Sequence, residues 1–323
     1  MMKNKPRVSV YMTTYYHEQY IKKAIDSVLD QKTNFSYEIV ISDDASKDKT
    51  PEILKEYQKK YDFIKVNLNE TNIGLTRNMF LAKSMCSGDY IIPLSGDDYW
   101  IDNDKLQKQY DFLISHDDYV GVTTVVEARA DDDDYAYAKY PSSKLRNCRV
   151  TLDSFLKGNN YPLNGIMTKN FLLDKDKYEK FSQMPRVSQY IDDVTDSIFI
   201  LQEGDVYVLN DSTVAYRVRR RKTTDKNFNS ENKGLLNFCR HIEMLNTLDK
   251  FLDGQVDLLY RYVVVTVNGL CKGIILRKLS LFIDYYKTIP FQYRRRGLLF
   301  KVVILIVPEL ITAAVNRLKL LKR

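Results

Sequence analysis

In "RVSVYMTTYYHEQYIKKAIDSVLDQKTNFSYEIVISDD", residues 7–44, the spacing of the apolar residues changes from strand-like to helix-like and back to strand-like. Residues 7–12 and 37–44 are short β-rich runs. Between them, apolar side chains recur at the spacing that gives a helix one buried face: Ile21, Ala24, Ile25, Val28 and Leu29. A strand, a helix and a strand at this spacing predict a parallel β-α-β unit with a right-handed crossover.

The same alternation continues to residue 94. Residues 63–68 and 89–94 are further predicted strands, and a predicted helix that Gly88 ends lies between them. After the second strand, Thr50 and Pro51 predict the N-cap and the first position of another helix. The sequence therefore predicts an α/β fold in which helices flank a mostly parallel sheet.

Polar clusters follow the first, second and fourth predicted strands: TTYYHE (13–18), SDDASKD (42–48) and SGDDYW (95–100). Each cluster alone is also ordinary turn chemistry. Open parallel sheets bind ligands beyond the carboxyl ends of their strands, so three clusters at one edge predict a binding site. The first cluster contains no glycine, which excludes the dinucleotide fingerprint and the P-loop.

The adjacent carboxylates Asp97 and Asp98 suit a divalent cation that bridges a diphosphate, because Mg²⁺ and Mn²⁺ prefer carboxylate and phosphate oxygens. Tyr15 can offer an aromatic face to a base, and Asp44 can accept a hydrogen bond from a base N–H. A nucleoside diphosphate carried by a metal ion is the ligand that this pattern favours.

The composition limits the kind of metal site and the compartment. Hydrophobic residues make up 44% and charged residues 28% of the 323 positions, as in an ordinary globular protein. With three histidines in the chain, a metal would be held mainly by oxygen. Four separated cysteines without a C-x-x-C pair, and an N-terminus without a signal-peptide core, predict a reducing, cytoplasmic setting.

Residues 7–54, together with "NIGLTRNMFLAKSMCSGDYIIPLSGDDYW" (72–100), resemble glycosyltransferase family 2, whose members are inverting enzymes of the GT-A fold. The resemblance is strong over residues 5–115 and reaches about residue 220 more weakly. It implies transfer of a sugar from a nucleotide-diphospho-sugar to a hydroxyl of a glycan or lipid-linked acceptor. A uridine nucleotide is the expected donor, and assembly of a bacterial surface polysaccharide is the expected setting.

The resemblance also implies roles for individual residues. It assigns nucleotide or sugar contacts to one set: Thr13, Tyr15, Asp44, Asn72, Gly74, Arg77 and Asp97. It assigns the divalent cation, Mn²⁺ or Mg²⁺, to Asp98. Many members carry an acid at the position of Ser95, so the metal would have one ligand fewer in this chain.

Inversion requires a general base on the acceptor side. The stretch "YIDDVTDSIFILQEG" (190–204) resembles the family's base-bearing segment, in which Asp193 falls on the position of the base. Helix capping by Asp192 and Asp193 is the structural alternative. The four aspartates at 131–134 are interpreted as a solvated loop.

Basic and aromatic residues provide candidates for further contacts with the diphosphate or with an anionic acceptor: Trp100, Arg217 and Arg219. For the two arginines, a solvated basic strand end is an equal alternative. Two other functions stay open, a non-catalytic nucleotide-sugar binding protein and a nucleotidyltransferase. The second is less expected, because the first cluster lacks a glycine-rich basic loop.

The positive charge of the chain, +7 in total, is concentrated at its carboxyl end. Residues 271–323 carry twelve Lys and Arg against two acids, and the rest has a small negative excess. We therefore predict a GT-A domain at 1–225, with a nucleotide-sugar half (1–115) and an acceptor half (116–225), and a helical basic region at 226–323. That region is expected to contact a membrane rather than nucleic acid.

The apolar run from 298 to 315 is interrupted by Pro308 and Glu309, which favours a helix lying in the membrane interface over a spanning helix. A helix that closes the catalytic core is the alternative. The expected location is peripheral, at the inner face of the plasma membrane.

Overall fold

The computed structural model describes residues 5–130, 136–183, 193–218, 235–275 and 279–298. Within these ranges the strands are β1 Val8–Thr14, β2 Tyr37–Asp43, β3 Ile64–Leu68, β4 Tyr90–Ser95, β5 Tyr99–Trp100, β6 Tyr119–Ala130, β7 Ala136–Tyr140, β8 Cys148–Val150, β9 Met167–Lys169 and β10 Asp205–Val218. The helices are α1 Ile21–Leu29, α2 Thr50–Lys60, α3 Leu75–Ser84, α4 Lys105–Ser115, α5 Leu152–Leu156, α6 Lys175–Gln183, α7 Asp193–Glu203, α8 Leu235–Leu252, α9 Leu259–Ile275, α10 Leu279–Thr288 and α11 Phe291–Arg295.

The strands form one mixed sheet in the order β3-β2-β1-β4-β9-β6-β10-β5, with β7 on β6 and β8 on β10. The first four strands are parallel to one another. β9 is antiparallel to both β4 and β6, so β6 and its parallel neighbour β10 run in the same direction as β1. The long strands therefore share one direction, and the predicted α/β fold with a mostly parallel sheet and flanking helices is confirmed.

The hydrophobic core lies between the sheet and its helices. The predicted apolar face of α1 is buried at Ile21, Ala24, Ile25 and Val28, with Leu29 packed at the margin. The predicted end of α3 at Gly88 is wrong, because the helix ends at Ser84. A Cβ at Gly88 would lie 2.7 Å from Ser9 N, so glycine allows this segment to approach β1 closely.

The predicted N-cap at Thr50 is also wrong. Thr50 is the first residue of α2, and its hydroxyl accepts a hydrogen bond from His17 N (3.0 Å). Asp48 accepts from Thr50 N (3.0 Å) and from Glu18 N (3.1 Å). The start of α2 therefore holds the loop after β1 in place.

The chain divides into two compact units: residues 1–155, 159–184 and 192–223 form the first, and 156–158, 185–191 and 224–323 the second. The second unit contains α8 to α11. In it, the Phe238 and Phe282 rings stack at 5.3 Å, and Tyr262 donates to Asn246 Oδ1 (3.0 Å). Across the described ranges, no helix has both the length and the apolar composition that crossing a membrane requires. The predicted interfacial helix, at residues 298–315, lies outside the described residues apart from Leu298, at which they end.

Candidate functional site

Hydrogen bonds join the loops that follow β1 and β2. Asp44 N donates to Thr14 O (3.0 Å), and Tyr16 N donates to Ser46 Oγ (2.9 Å). Tyr16 and Ala45 have φ angles of 56° and 63°, in the left-handed region that side chains disfavour. The contacts between the loops stabilise these conformations, so the two loops form one preorganised surface.

The loop after β4 packs against the same surface. Gly96 N donates to Thr13 O (2.9 Å). A Cβ at Gly96 would lie 2.9 Å from both the Thr14 Cβ and the His17 Nδ1, so a larger residue would push the loops apart. The three polar clusters predicted to converge therefore meet at the carboxyl edge of the sheet.

Asp44 is buried and organises the loop before α3. Its carboxylate accepts hydrogen bonds from Ile73 N (2.8 Å) and Gly74 N (3.0 Å). Asn72 Oδ1 also accepts from Gly74 N (3.1 Å). Gly74 has a φ of 86°, which glycine adopts without strain, and it sets the first turn of α3. Asp44 thus links the loop after β2 to the Asn72–Gly74 loop, in addition to its predicted contact with the nucleotide.

An asparagine network that the sequence interpretation missed supports Asp44. Asn69 Nδ2 donates to Asp44 Oδ1 (3.3 Å) and to Asn78 Oδ1 (2.9 Å). Ser42 Oγ donates to Asn78 Oδ1 (2.6 Å), and Asn67 Nδ2 donates to Ser42 Oγ (3.1 Å). The available signal was the pair of asparagines at alternate positions, 67 and 69, at the end of β3.

Several predicted nucleotide contacts face solvent around this framework. Tyr15 is 45% exposed, and Asn72 and Arg77 are also exposed, at the loop and first turn of α3. Thr13 is half-buried. The structure therefore places an aromatic ring, an amide and a guanidinium at the surface, next to the hydrogen-bonded loops that follow β1 and β2.

The two adjacent carboxylates have different surroundings. Asp98 is 1% exposed; it accepts hydrogen bonds from Arg217 N (2.9 Å) and from Asn164 Nδ2 (3.1 Å). Burial raises the pKa of Asp98 well above its ordinary value, Asp97 adds to the rise, and the two hydrogen bonds oppose it. The Asp97 side chain is 25% exposed and accepts from Ser95 Oγ (2.6 Å). Asp97 is therefore the carboxylate of this pair that solvent reaches.

Two residues near Asp97 extend the site. His17 Nε2 lies 3.7 Å from Asp97 Oδ2, a neighbour that the sequence interpretation did not include. Arg217 Nε donates to the Asp97 carbonyl oxygen (2.8 Å). The Arg217 guanidinium also lies over the Tyr20 and Tyr99 rings, 4.7 and 5.2 Å from their centroids. The predicted arginine thus lies beside the acidic motif, and Arg219 is outside the described residues.

Trp100 lies in the hydrophobic core rather than at the surface. It is buried, and its backbone N–H donates to Ser27 Oγ (3.0 Å). Because core atoms cover the indole, its position argues against the predicted contact with a diphosphate or an acceptor.

A fully buried lysine lies below this site. Lys105 Nζ donates to Gln109 Oε1 (2.7 Å), Thr124 Oγ1 (3.2 Å) and Gly165 O (3.0 Å). Burial lowers the pKa of Lys105 well below its ordinary value. The bond to Gly165 holds the short turn that carries Asn164, and Asn164 in turn contacts Asp98.

Asp193 begins α7, which leads directly into β10. Because β10 enters the sheet at its amino edge, the amino terminus of α7 points towards the carboxyl edge, where the three loops lie. The Asp193 side chain is exposed to solvent, yet enough protein surrounds it for desolvation to raise its pKa. Asp196 adds to this rise and Lys83 opposes it.

The sequence and the fold both have known relatives. Residues 9–181 match the sequence model of glycosyl transferase family 2. TuaG of Bacillus subtilis, named for teichuronic acid biosynthesis, is 30% identical over 220 residues, which cover 66% of this chain and 80% of that protein. An uncharacterised protein of Mycobacterium tuberculosis is 33% identical over 165 residues. That match covers 50% of this chain and 46% of the mycobacterial protein, so the chain spans about half of that relative.

Among solved structures, residues 1–349 of TarS from S. aureus, in complex with UDP-GlcNAc, are similar with a TM-score of 0.64. The two share 17% sequence identity, and the superposition covers 93% of this chain and 89% of that chain. At this identity the likeness concerns the fold alone, and it confirms the expected GT-A-like architecture.

Proposed function

Because the chain belongs to glycosyltransferase family 2, we propose that it transfers a sugar, with inversion, from a nucleotide-diphospho-sugar to a hydroxyl group. One observation carries the proposal: the three interlocked loops present Asp97 at the same sheet edge towards which α7 directs Asp193. A donor diphosphate needs groups that neutralise its negative charge, whereas an acceptor hydroxyl needs a base that removes its proton. This edge offers a polar donor surface and a separate carboxylate for the acceptor.

In the proposed reaction, Asp193 accepts the proton of the acceptor hydroxyl as that oxygen attacks the anomeric carbon. The bond to the diphosphate breaks on the opposite face, and the nucleoside diphosphate leaves with the bonding electrons. A carboxylate with a raised pKa is the stronger base, which suits this role. Tyr15 and the Asn72–Arg77 segment would hold the nucleotide, and Arg217 lies where it could neutralise the leaving diphosphate.

A divalent cation, Mg²⁺ or Mn²⁺, fits this site as a substrate-carried ion. Across the described ranges, no group of three or more His, Cys, Asp or Glu could hold a metal by itself. Mg²⁺ often binds through one or two carboxylates and completes its shell with phosphates and water. The exposure of Asp97 favours this carboxylate as the direct ligand of the cation, whereas Asp98 is buried. Metal binding by Asp98 stays a prediction. When bound, the cation would neutralise charge on the diphosphate.

The relatives support a donor class and an acceptor class for the proposed reaction. TarS was solved with UDP-GlcNAc, which supports a uridine nucleotide as the donor carrier. The name of TuaG refers to teichuronic acid biosynthesis, which supports a glycan or lipid-linked acceptor. Both are proposals for this chain, and neither fixes the sugar.

A lipid-linked acceptor would place the protein at the inner face of the plasma membrane. In the second unit, Phe291 is 68% exposed, and Leu279 and Ile283 expose apolar side chains one helical turn apart on α10. Arg295 and Arg296 are exposed close to Phe291 in the chain. Apolar side chains beside arginines fit the headgroup boundary of an anionic leaflet.

The test is an incubation of the protein with UDP-sugars, Mn²⁺ or Mg²⁺, and bacterial lipid extract. A glycosyltransferase releases UDP and forms a glycolipid whose anomeric configuration, measured by NMR, is opposite to that of the donor. Nucleotide-dependent thermal stabilisation without UDP release would instead identify a binding protein. Release of pyrophosphate from a nucleoside triphosphate would identify a nucleotidyltransferase.

A further inference from the structure

A buried ion pair joins α3 to α7. The Lys83 ammonium contacts the Asp196 carboxylate, and the two side chains are 7% and 4% exposed. The same ammonium lies 5.5 Å from the Tyr11 ring centroid and 5.2 Å from the Phe181 ring centroid. Neither charge can be left alone in this environment without a large penalty, so each requires the other.

The pair lies next to the proposed base. Asp196 follows Asp193 by three residues, so the two carboxylates lie on neighbouring positions of one face of α7, with Cβ atoms about 5–6 Å apart. At its other end, α3 is preceded by its N-cap Gly74, whose N–H donates to the Asp44 carboxylate. A single rigid helix therefore connects the predicted nucleotide loop to the first turn of α7.

We propose that Lys83 and Asp196 are positioning residues, whose ion pair fixes the first turn of α7 and thereby orients the Asp193 carboxylate towards the acceptor. This inference rests on the proposed role of Asp193 as the general base. It assigns to α3 a second task besides holding the Asn72–Gly74 loop, because the same helix sets the place of the base relative to the donor.

The two charges have opposite effects on Asp193. Within the described part of the chain, the charged groups that act on it are Asp196 from its own helix and Lys83 from α3. Asp196 raises the pKa of Asp193, and Lys83 lowers it. A unit charge about 6 Å away shifts a pKa by roughly 0.5 to 2 units, depending on screening.

The test compares the pH dependence of kcat/KM in Lys83→Met and Asp196→Asn. Because the base must be deprotonated, activity rises with pH through its pKa. We call the rise of kcat/KM with pH the acidic limb of the profile. We expect this limb to move to higher pH in Lys83→Met and to lower pH in Asp196→Asn, by roughly 0.5 to 2 pH units each. In both, kcat should fall roughly tenfold or more, because the base is less well positioned, while the donor KM changes little.

Three further variants separate positioning from general destabilisation. The double variant Lys83→Met/Asp196→Asn removes both buried charges, so it should fold. It should keep the lowered kcat of the single variants, with the acidic limb of its pH profile between theirs. Lys83→Arg keeps the positive charge and should retain much of the wild-type kcat that Lys83→Met loses. Lys177→Met is the matched control, because Lys177 pairs with Glu203 at the opposite end of α7, about 15 Å from Asp193. Its limb should stay at the wild-type pH.

The outcomes distinguish this inference from the function on which it rests. If Asp193→Asn is inactive but the folded double variant keeps wild-type kcat, the ion pair has a structural role only and the inference is overturned. If Asp193→Asn keeps wild-type activity, the assignment of the base fails instead. Should both single variants fail to fold, the double variant and Lys83→Arg still decide the question.

Discussion

Replacement of each carboxylate in the acidic motif should separate ligand binding from folding. Asp98 accepts one hydrogen bond on each oxygen, from Arg217 N and from Asn164 Nδ2. In Asp98→Asn, one of these donors would face an amide NH₂, which cannot accept. A buried donor left without its acceptor costs about 1–3 kcal/mol. At roughly 2–4 °C per kcal/mol for a domain of this size, Asp98→Asn should melt several degrees below the wild type.

Asp97→Asn should behave differently. Its amide oxygen can keep the bond from Ser95 Oγ, and the side chain is partly exposed, so the change in stability should stay within about 0.5 kcal/mol. We expect it to abolish metal-dependent nucleotide binding at an unchanged Tm, whereas Asp98→Asn loses both transfer and stability. Calorimetry with and without nucleotide and Mn²⁺ measures both effects. Wild-type stability in Asp98→Asn would refute the reasoning, and so would unchanged transfer by either variant with excess chelator present.

The remaining predictions concern the base, the tail and a buried acid. Asp193→Asn should lower kcat by ~10² to 10⁴ while nucleotide affinity stays near the wild-type value; an inactive Asp192→Asn beside an active Asp193→Asn would move the base by one residue. Truncation at about residue 270 should keep nucleotide binding but abolish flotation with anionic liposomes, an expectation that fails if the intact chain itself does not float at low salt. Although burial acts the other way, hydrogen bonds led by that from Lys139 lower the pKa of Glu127 to about 2. Its stabilising effect is therefore present above its ordinary value of 4.5 and lost as pH falls towards 2, so in denaturant titrations Glu127→Gln should destabilise at pH 7 and much less at pH 3.

Local patterns predicted the amino-terminal half well because each of its signals acts over a few residues. The spacing of Ile21, Ile25 and Val28 describes a single helix face, and that face is buried. The polar clusters were placed by the rule that parallel strands end at the same edge. Errors arose where a polar side chain had a choice of partners, as with Thr50, whose hydroxyl bonds to a loop 33 residues away rather than to its own helix.

The difference in burial between Asp97 and Asp98 could not be predicted from the sequence, because the two are identical neighbours. The distinction comes from Arg217, whose backbone N–H reaches Asp98 from 119 residues downstream. Burial of Lys105 has a similar origin, since its carbonyl partner, Gly165, lies 60 residues away. Sequence patterns of short range carry no information about such contacts.

The segment from α7 through β10 brings the two halves of the proposed chemistry together. It begins at Asp193, the proposed base, and near its end Arg217 binds both Asp98 and the carbonyl of Asp97. Between these points β10 pairs with β6 and, through Val214 and Ala215, with β5, which directly follows the acidic motif. A change in the register of β10 would therefore move Arg217 away from Asp98 and alter the place where α7 joins the sheet. This shared strand therefore links residues that are far apart in the sequence to one proposed site.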